Sequence, residues 1–405
     1  MNKSYTTGQD LACLLPTIEL LEKSRGIVET ALVQLGKLTL ETILGMSATQ
    51  VAGEPLRGKR KGHVRHHGSQ IGSVNVGGRR IQLERPRLRD KDGKEVVVPA
   101  YENLRRDPKS ADRALARVMK GVSTREYEGV FDEAGEELGV GRSSVSRQAK
   151  QASEKVLKEL TERKIEARQL AILVDGIHIG SSVILAAVGI DEKGEKQVLG
   201  IAEGATENSA AVNSLLASMV QRGLDKDLPV LFVLDGSKAL FKAVRALFPA
   251  AQIQRCRVHK MRNILEHLPL AKRRYFKVRL TLAYRLPYKE ALDKLNELAK
   301  ELEVLHPGAA ASMREGLNET LTVSRLTASE LMTQSLSTTN VIESSFSRAR
   351  HRLRRVTNFS SGAMALRWCA TALSFAEANF RTLKGFKDLW MLKSALDHPL
   401  EIISK

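Results

Sequence analysis

Residues 169–180, QLAILVDGIHIG, open the passage that decides the fold; SSVILAAVGID (181–191) and KQVLGIAEG (196–204) complete it. Each is rich in β-branched and other apolar residues and is bounded by Gly, Asp or Ser, the pattern of a buried strand. The first strand is expected to end at Asp175, and Asp191-Glu192-Lys193-Gly194 reads as a turn between the second and third. Three strands joined by short turns predict an antiparallel meander. Downstream, Val212, Leu215, Leu216, Met219 and Val220 recur at i, i+3, i+4, i+7 and i+8 and predict an amphipathic helix over 207–222. PVLFVLDG (229–236) is a continuous apolar run, typical of a central strand, that ends at Asp235. Ser237 is placed to cap a helix over 237–248, and AQIQRCRVH (251–259) supplies another short strand. The order βββαβαβα describes an α/β sheet with carboxylates at the ends of its first and fourth strands.

The chain from about 263 to 335 is helical in character and interrupts that pattern; Leu292, Leu295, Leu298, Leu302 and Leu305 carry the helical spacing. STTNVIESSFSRARHRLRR (337–355) then starts a new helix, with Thr338 or Thr339 as its cap and Glu343 on the side of Ser347 and Arg350. Upstream, ELGVGRSSVSRQAK resembles the turn and second helix of a helix-turn-helix. Residues 124–138 suit the first helix and Gly139–Gly141 the turn, with Val140 and Val145 packing inward. Arg142, Ser144, Arg147, Gln148 and Lys150 are then available to a major groove. Residues 1–50 space Leu14, Ile18, Leu21, Ile27, Ala31 and Leu35 as a helix would, and suggest a small all-α piece suited to self-association. The resulting division is a helical segment (1–53), a basic arm with β structure (54–104), a helix-turn-helix region (105–167), an α/β part (168–264), a helical insertion (265–335), a second catalytic-domain part (336–385) and a tail (386–405).

Composition narrows the function. At 405 residues and 42% apolar, the chain can build sizeable cores and is not wholly disordered. Its longest apolar run, Val183–Ile190, is far too short to cross a bilayer. The first residues carry no basic-then-apolar leader, and three scattered cysteines (Cys13, Cys256, Cys369) cannot form a disulfide framework, so a cytoplasmic, nucleoid-associated location is expected. A formal charge of +18 points to a polyanion, and half of that excess lies between Arg57 and Arg89. Arg57, Lys59, Arg60 and Lys61 read as a flexible phosphate-gripping arm, with His63, His66 and His67 as further phosphate contacts. SVNV and RIQL around Gly77-Gly78 read as a hairpin. On the helix after Ser337, Arg348, Arg352 and Arg355 share one face and could track a phosphate backbone. Only 4% aromatic residues argues against a dedicated single-strand binder, and sequence alone leaves Trp368 and Trp390 open between core and base stacking.

Three acids carry the chemistry: Asp175, Asp235 and Glu343. Two lie at ends of neighbouring strands and one near the start of a helix able to pack beside them. Hard divalent cations take oxygen ligands, and Mg²⁺ is commonly held by a few carboxylates with substrate phosphate and water. Two such ions about 4 Å apart suit phosphodiester chemistry. Cys256-Arg257-Val258-His259 is a C-x-x-H element without a second ligand pair, so Cys256 and His259 read as site-shaping residues.

These residues resemble a known family, the mutator-type transposases of bacterial insertion sequences. The resemblance rests on EKQVLGIAEGATENSAA with QRGL, on LDGSKALFKAVRALFPAAQIQRCRVHKMRNIL and on STTNVIESSFSRAR, within about 168–385. It implies an RNase H-like mixed sheet interrupted by an all-α insertion, with Asp175, Asp235 and Glu343 as the metal-binding DDE triad. It also implies two Mg²⁺ (or Mn²⁺) ions, a C-x-x-H motif at Cys256 and His259, and a further pair at Arg367-Trp368. PRLRDKDGKEV (86–96) is similar in style to the family's basic, glycine-containing segment.

The function so implied is binding of terminal inverted repeats in double-stranded DNA, strand cleavage by activated water, and attack of the freed 3′ hydroxyl on target DNA. A homodimer is expected, because two element ends must be held together. The alternatives are a nuclease or resolvase of the same fold without strand joining, and a DNA-binding regulator using only residues 57–160.

Overall fold

The computed structural model describes residues 8–55, 62–76, 79–105, 142–354, 356 and 358–398, together with 112, 115, 116 and 119. They group into two units, one within 1–114 and 124–148 and one within 115–123 and 149–405.

In the first unit a long helix, α1 (Gly8–Ala52), precedes β1 (Val64–Val76), β2 (Arg79–Asp90), β3 (Glu95–Val96) and α2 (Pro99–Arg105). The three strands form one antiparallel sheet in the order β1-β2-β3. The expected hairpin is present and reaches well beyond SVNV and RIQL. His66 and His67, read above as part of a flexible arm, therefore lie in β1, and His66 Nε2 is 2.8 Å from the Gly53 carbonyl. The ladder slips between His66 and Ser69, opposite Pro86. A proline has no N–H to give the ladder, so it is tolerated at such a bulge.

Leu44 and Ala48 of α1 are buried with Val74, Leu83, Leu88, Val98 and Tyr101, so helix and sheet share one core. Ile27 and Leu35, two of the residues that carry the helical spacing, are 71% and 64% exposed. Two arginines of the basic cluster are paired inside the unit. Arg85 and Arg87 both reach Glu95, and the Arg85 guanidinium lies 4.7 Å from the Tyr101 ring centroid. The arm residues Arg57, Lys59, Arg60 and Lys61, the Gly77-Gly78 turn, and the first helix and turn of the expected helix-turn-helix lie outside the described residues.

The helix α3 (Arg142–Glu162) begins where the second helix of that motif was expected. Arg147 and Lys150 are exposed on it, with Lys150 Nζ 3.9 Å from Glu154. Arg142, Ser144 and Gln148 belong to the same helix, their side chains lying outside the described part.

The second unit is built on a five-stranded sheet: β4 (Gln169–Ile179), β5 (Ser182–Asp191), β6 (Lys196–Glu203), β7 (Leu231–Leu234) and β8 (Gln252–Arg255). Their order is β6-β5-β4-β7-β8; β4, β5 and β6 form the antiparallel meander, and β7 and β8 add in parallel. Parallel neighbours need a crossover. It is supplied by α4 (Ser209–Gln221), capped by Asn208, and α5 (Lys238–Leu247), capped by Ser237.

Strand side chains alternate between faces. Ile172, Val174, Phe232 and Leu234 enter the core beneath α4 and α5 with Val212, Leu216 and Val244. The intervening residues Leu173, Asp175, Val233 and Asp235 therefore point to the other face. One boundary differs from expectation. β4 does not end at Asp175 but continues to Ile179, because β5 keeps pairing with it, Gly176 opposite Leu185 and Ile179 opposite Ser182.

After β8 come α6 (Arg257–Glu266), α7 (Leu270–Ala283), α8 (Tyr288–Leu305), α9 (Pro307–Arg314), α10 (Leu317–Thr320), α11 (Thr322–Leu326) and α12 (Glu330–Leu336). Much of this array has its own core of Ile264, Leu280, Leu295, Leu298, Leu302 and Met313. Leu305, the last of the predicted leucine spacing, is 58% exposed at the end of α8. The chain then returns to the sheet with α13 (Asn340–Leu353), α14 (Gly362–Glu377) and α15 (Leu389–Asp397). α13 packs against β4, and α14 against β5 and β6. Glu377 fastens α14 to the sheet by accepting from the Val198 N–H at 2.7 Å and pairing with Arg163 at 2.9 Å. Among the described residues no helix is long and apolar enough to cross a membrane.

Candidate active site

Asp175 and Asp235 are neighbours because of strand register. β4 and β7 pair in parallel through Ala171–Leu231, Ile172–Phe232, Leu173–Val233 and Val174–Leu234. The next residue in each chain segment is an aspartate, Asp175 within β4 and Asp235 just past the end of β7, where paired strands lie about 4.8 Å apart. Asp175 is 8% exposed, whereas Asp235 is half-buried. Asp235 Oδ1 accepts from the Ser237 N–H at 2.8 Å, and Ser237 Oγ donates to the Thr206 carbonyl at 2.7 Å. The turn needs glycine after Asp235: Gly236 has φ +109°, and a Cβ there would meet Arg255 Nε at 2.5 Å.

Glu343 enters from the first turn of α13, where the helix dipole favours an anion. It is half-buried, and its Oε1 accepts from Thr339 Oγ1 at 2.9 Å. Burial pushes the Asp175 carboxyl up to about 6. The Gly176 N–H at 2.8 Å and His259 oppose that rise, and the negative charges of Asp235 and Glu343 add to it. Asp175 thus feels Asp235, Glu343 and His259, and His259 feels both aspartates.

Each carboxylate is steadied through one oxygen: Asp175 by Gly176, Asp235 by Ser237, Glu343 by Thr339. Among the described residues, no group of three or more His, Cys, Asp or Glu side chains is gathered closely enough to hold a metal ion by itself.

Cys256 and His259 border this cluster. Cys256, fully buried at the start of α6, has its sulfur 3.4 Å from Thr339 Oγ1 and lies beside His259. Burial alone would raise its thiol, but His259 and Thr339 outweigh it and hold the thiol below the ordinary value. The neighbouring Cys256 raises the imidazole of His259 against the effect of burial, and Asp175 and Asp235 add to the rise. His259 Nδ1 is buried with no hydrogen-bond partner among the described residues.

The arginine stripe is partly committed to the protein. Arg348 Nη1 donates to the Asn379 carbonyl at 2.9 Å, and Arg352 Nη1 to the Met119 carbonyl at 3.5 Å. Both line a cleft of about 530 Å³ with Ser347, His351 and Arg354; Arg355 lies outside the described residues. Trp368 is a core residue at 7% exposure and Trp390 is a surface one at 64%, while Arg367 pairs with Glu154 at 3.5 Å. Sequence reasoning assigned Thr339 only as a helix cap. Its contact with Glu343 has no signature in spacing, because either hydroxyl of Thr338-Thr339 could have taken that place.

The chain is similar to transposases of several bacterial insertion sequences. The chain is 28% identical over 354 residues, 85% of either chain, to the transposase for insertion sequence element ISRM5 of Rhizobium meliloti. It is 27% identical over 277 residues to the transposase for element IS6120 of Mycolicibacterium smegmatis, covering 65% of this chain and 83% of that one. With the transposase for element IST2 of Acidithiobacillus ferrooxidans it shares 28% identity over 209 residues, 51% of this chain and a little under two thirds (66%) of the relative. The family described as transposase, Mutator family, matches residues 14–382. That match takes in both units, Asp175, Asp235 and Glu343, and nearly the whole sequence: the chain belongs to the Mutator family of transposases.

Proposed function

We propose that this protein is the DNA transposase of an insertion sequence, with an RNase H-like catalytic unit that cuts a strand at the element's inverted repeats and joins the freed 3′ end to target DNA. The observation that carries this reading is the adjacency of Asp175 and Asp235 across parallel strands, with Glu343 acting on the same buried carboxyl. A sheet of three antiparallel strands extended by two parallel ones, with a helical array between Asp235 and Glu343, supports it.

The donor set fits Mg²⁺ or Mn²⁺. All three groups are hard oxygen donors, each has one oxygen anchored by the protein, and Asp175 is buried against like charge that the Gly176 N–H and His259 offset only in part. Mg²⁺ is commonly held by only one or two carboxylates, with waters and substrate phosphate as its other ligands. Asp175, Asp235 and Glu343 would hold two ions, which when bound activate the attacking oxygen and steady the leaving one.

The remaining work belongs to side chains. α13 packs against β4, the strand that carries the buried Asp175. Gly236 and Ser237 hold Asp235 in place. Arg348 and Arg352, each giving one N–H to a carbonyl, keep other donors for a phosphate backbone, beside exposed Arg350 and Arg354. Arg57, Lys59, Arg60, Lys61 and the surface of α3 at Arg147 and Lys150 would bind the element ends, with a second copy of the chain holding the second end.

Asp235→Asn tests the reading on linear DNA bearing the inverted repeats. The expected result is loss of cleavage and joining with end binding retained; unchanged cleavage would remove Asp235 from the site. Cleavage by wild type without joining of the 3′ end would favour the nuclease, and end binding without cleavage the regulator.

A further inference from the structure

Thr339 is the N-cap of α13, yet its hydroxyl accepts no N–H of that helix. A capping threonine ordinarily contributes about 1 kcal/mol through such a bond. Here the side chain is fully buried and turned elsewhere. Oγ1 donates to Glu343 Oε1 at 2.9 Å and lies 3.4 Å from Cys256 Sγ, while the Thr339 N–H donates to the same sulfur at 3.4 Å. Cys256 is itself the N-cap of α6 and likewise caps nothing with its side chain. The two helix starts are joined once more where the Arg257 N–H donates to the Ser337 carbonyl at 2.9 Å.

We infer that Thr339 is a positioning residue for Glu343, held in place by Cys256, so that the C-x-x-H element acts on the glutamate end of the site through Thr339. The inference rests on reading Glu343 as an ion ligand. A threonine hydroxyl has one proton. With that proton given to Glu343, Oγ1 can only accept, and the Cys256 thiol is the donor beside it. The chain Cys256 S–H, Thr339 O–H, Glu343 Oε1 fixes one carboxylate oxygen and the glutamate rotamer, and leaves Oε2 without a protein donor among the described residues. Partners that orient a metal-binding carboxylate in this way affect ion affinity about 10- to 100-fold.

The test uses the full chain and Mn²⁺ as the probe. Binding is measured by calorimetry and by the electron paramagnetic resonance of free Mn²⁺ at millimolar concentration, with melting in EDTA as the folding control. Thr339→Val, which keeps the shape and loses the hydroxyl, is expected to weaken Mn²⁺ binding by about tenfold or more, and to raise the Mg²⁺ concentration needed for half-maximal cleavage. Thr339→Ser is expected to restore both. Cys256→Ala is expected to shift binding in the same direction and serves as the comparison should Thr339→Val fail to fold. A purely structural role would lower melting in EDTA and leave Mn²⁺ affinity alone, and that result overturns the inference. Glu343→Gln separates the two levels. If it weakens Mn²⁺ binding and Thr339→Val does not, the relay is wrong and the triad stands. If Glu343→Gln binds like wild type, or wild type binds no Mn²⁺, the triad reading fails and the relay with it.

Discussion

Asp175 carries a stability cost that can be measured apart from catalysis. Burial and the charges of Asp235 and Glu343 move its carboxyl from 3.8 to about 6, against the pull of the Gly176 N–H and His259. The folded state therefore binds this proton more tightly than the unfolded chain. The favourable contribution is complete below about pH 4 and is lost as pH rises through about 6. The span from 3.8 to about 6 corresponds to about 3 kcal/mol. Asp175→Asn removes the charge, keeps the shape, and leaves an oxygen to accept from Gly176. In EDTA the variant and wild type should unfold at similar denaturant near pH 4. Above pH 6 the variant should be more stable by up to about 3 kcal/mol. Mg²⁺ should close part of that gap by stabilising wild type alone. Denaturant titrations between pH 4 and 8, followed by Trp fluorescence and far-UV circular dichroism, measure the difference. Equal stability at every pH, or a less stable variant above pH 6, would refute the claim that this carboxylate is held at a cost.

Gly236→Ala should destabilise the protein by about 1–3 kcal/mol, since φ is +109° and the new Cβ would press on Arg255; an unchanged melting temperature would contradict this. Lys260 is 1% exposed, with Nζ 3.4 Å from Glu315, and burial followed by the nearby Arg255 lowers its ammonium to about 8. The unfolded chain holds that proton up to about 10.5, so stability rises with pH between about 8 and 10.5. Lys260→Met should therefore be more stable at neutral pH by about 1–3 kcal/mol, the gain shrinking in alkali; a less stable variant at pH 7 would mean that the pairing with Glu315 outweighs burial.

Much of the sheet is legible locally. Apolar runs closed by Gly, Asp and Ser mark β4, β5, β6 and β7, and the spacing from Val212 to Val220 marks α4, because strand and helix periods are written in consecutive residues. The same local rules mislead where a partner decides. Asp175 reads as a strand end, yet β5 carries β4 on to Ile179. Ile27 and Leu35 show helical spacing, but spacing does not say which part of α1 is covered: the sheet of the first unit buries Leu44 and Ala48. The charge count between Arg57 and Arg89 likewise does not show that Arg85 and Arg87 pair with Glu95.

By itself, then, the sequence determined the strands and helices of the α/β part, the three acids and the family. Tertiary structure alone decided that Val174 pairs with Leu234, which makes two aspartates 60 positions apart into neighbours on one face. It also decided that Thr339 turns from its own helix to Glu343 and Cys256. The reason is physical: periodicity is a property of neighbouring residues, whereas register and side-chain partners are set by the packing of segments far apart in the chain.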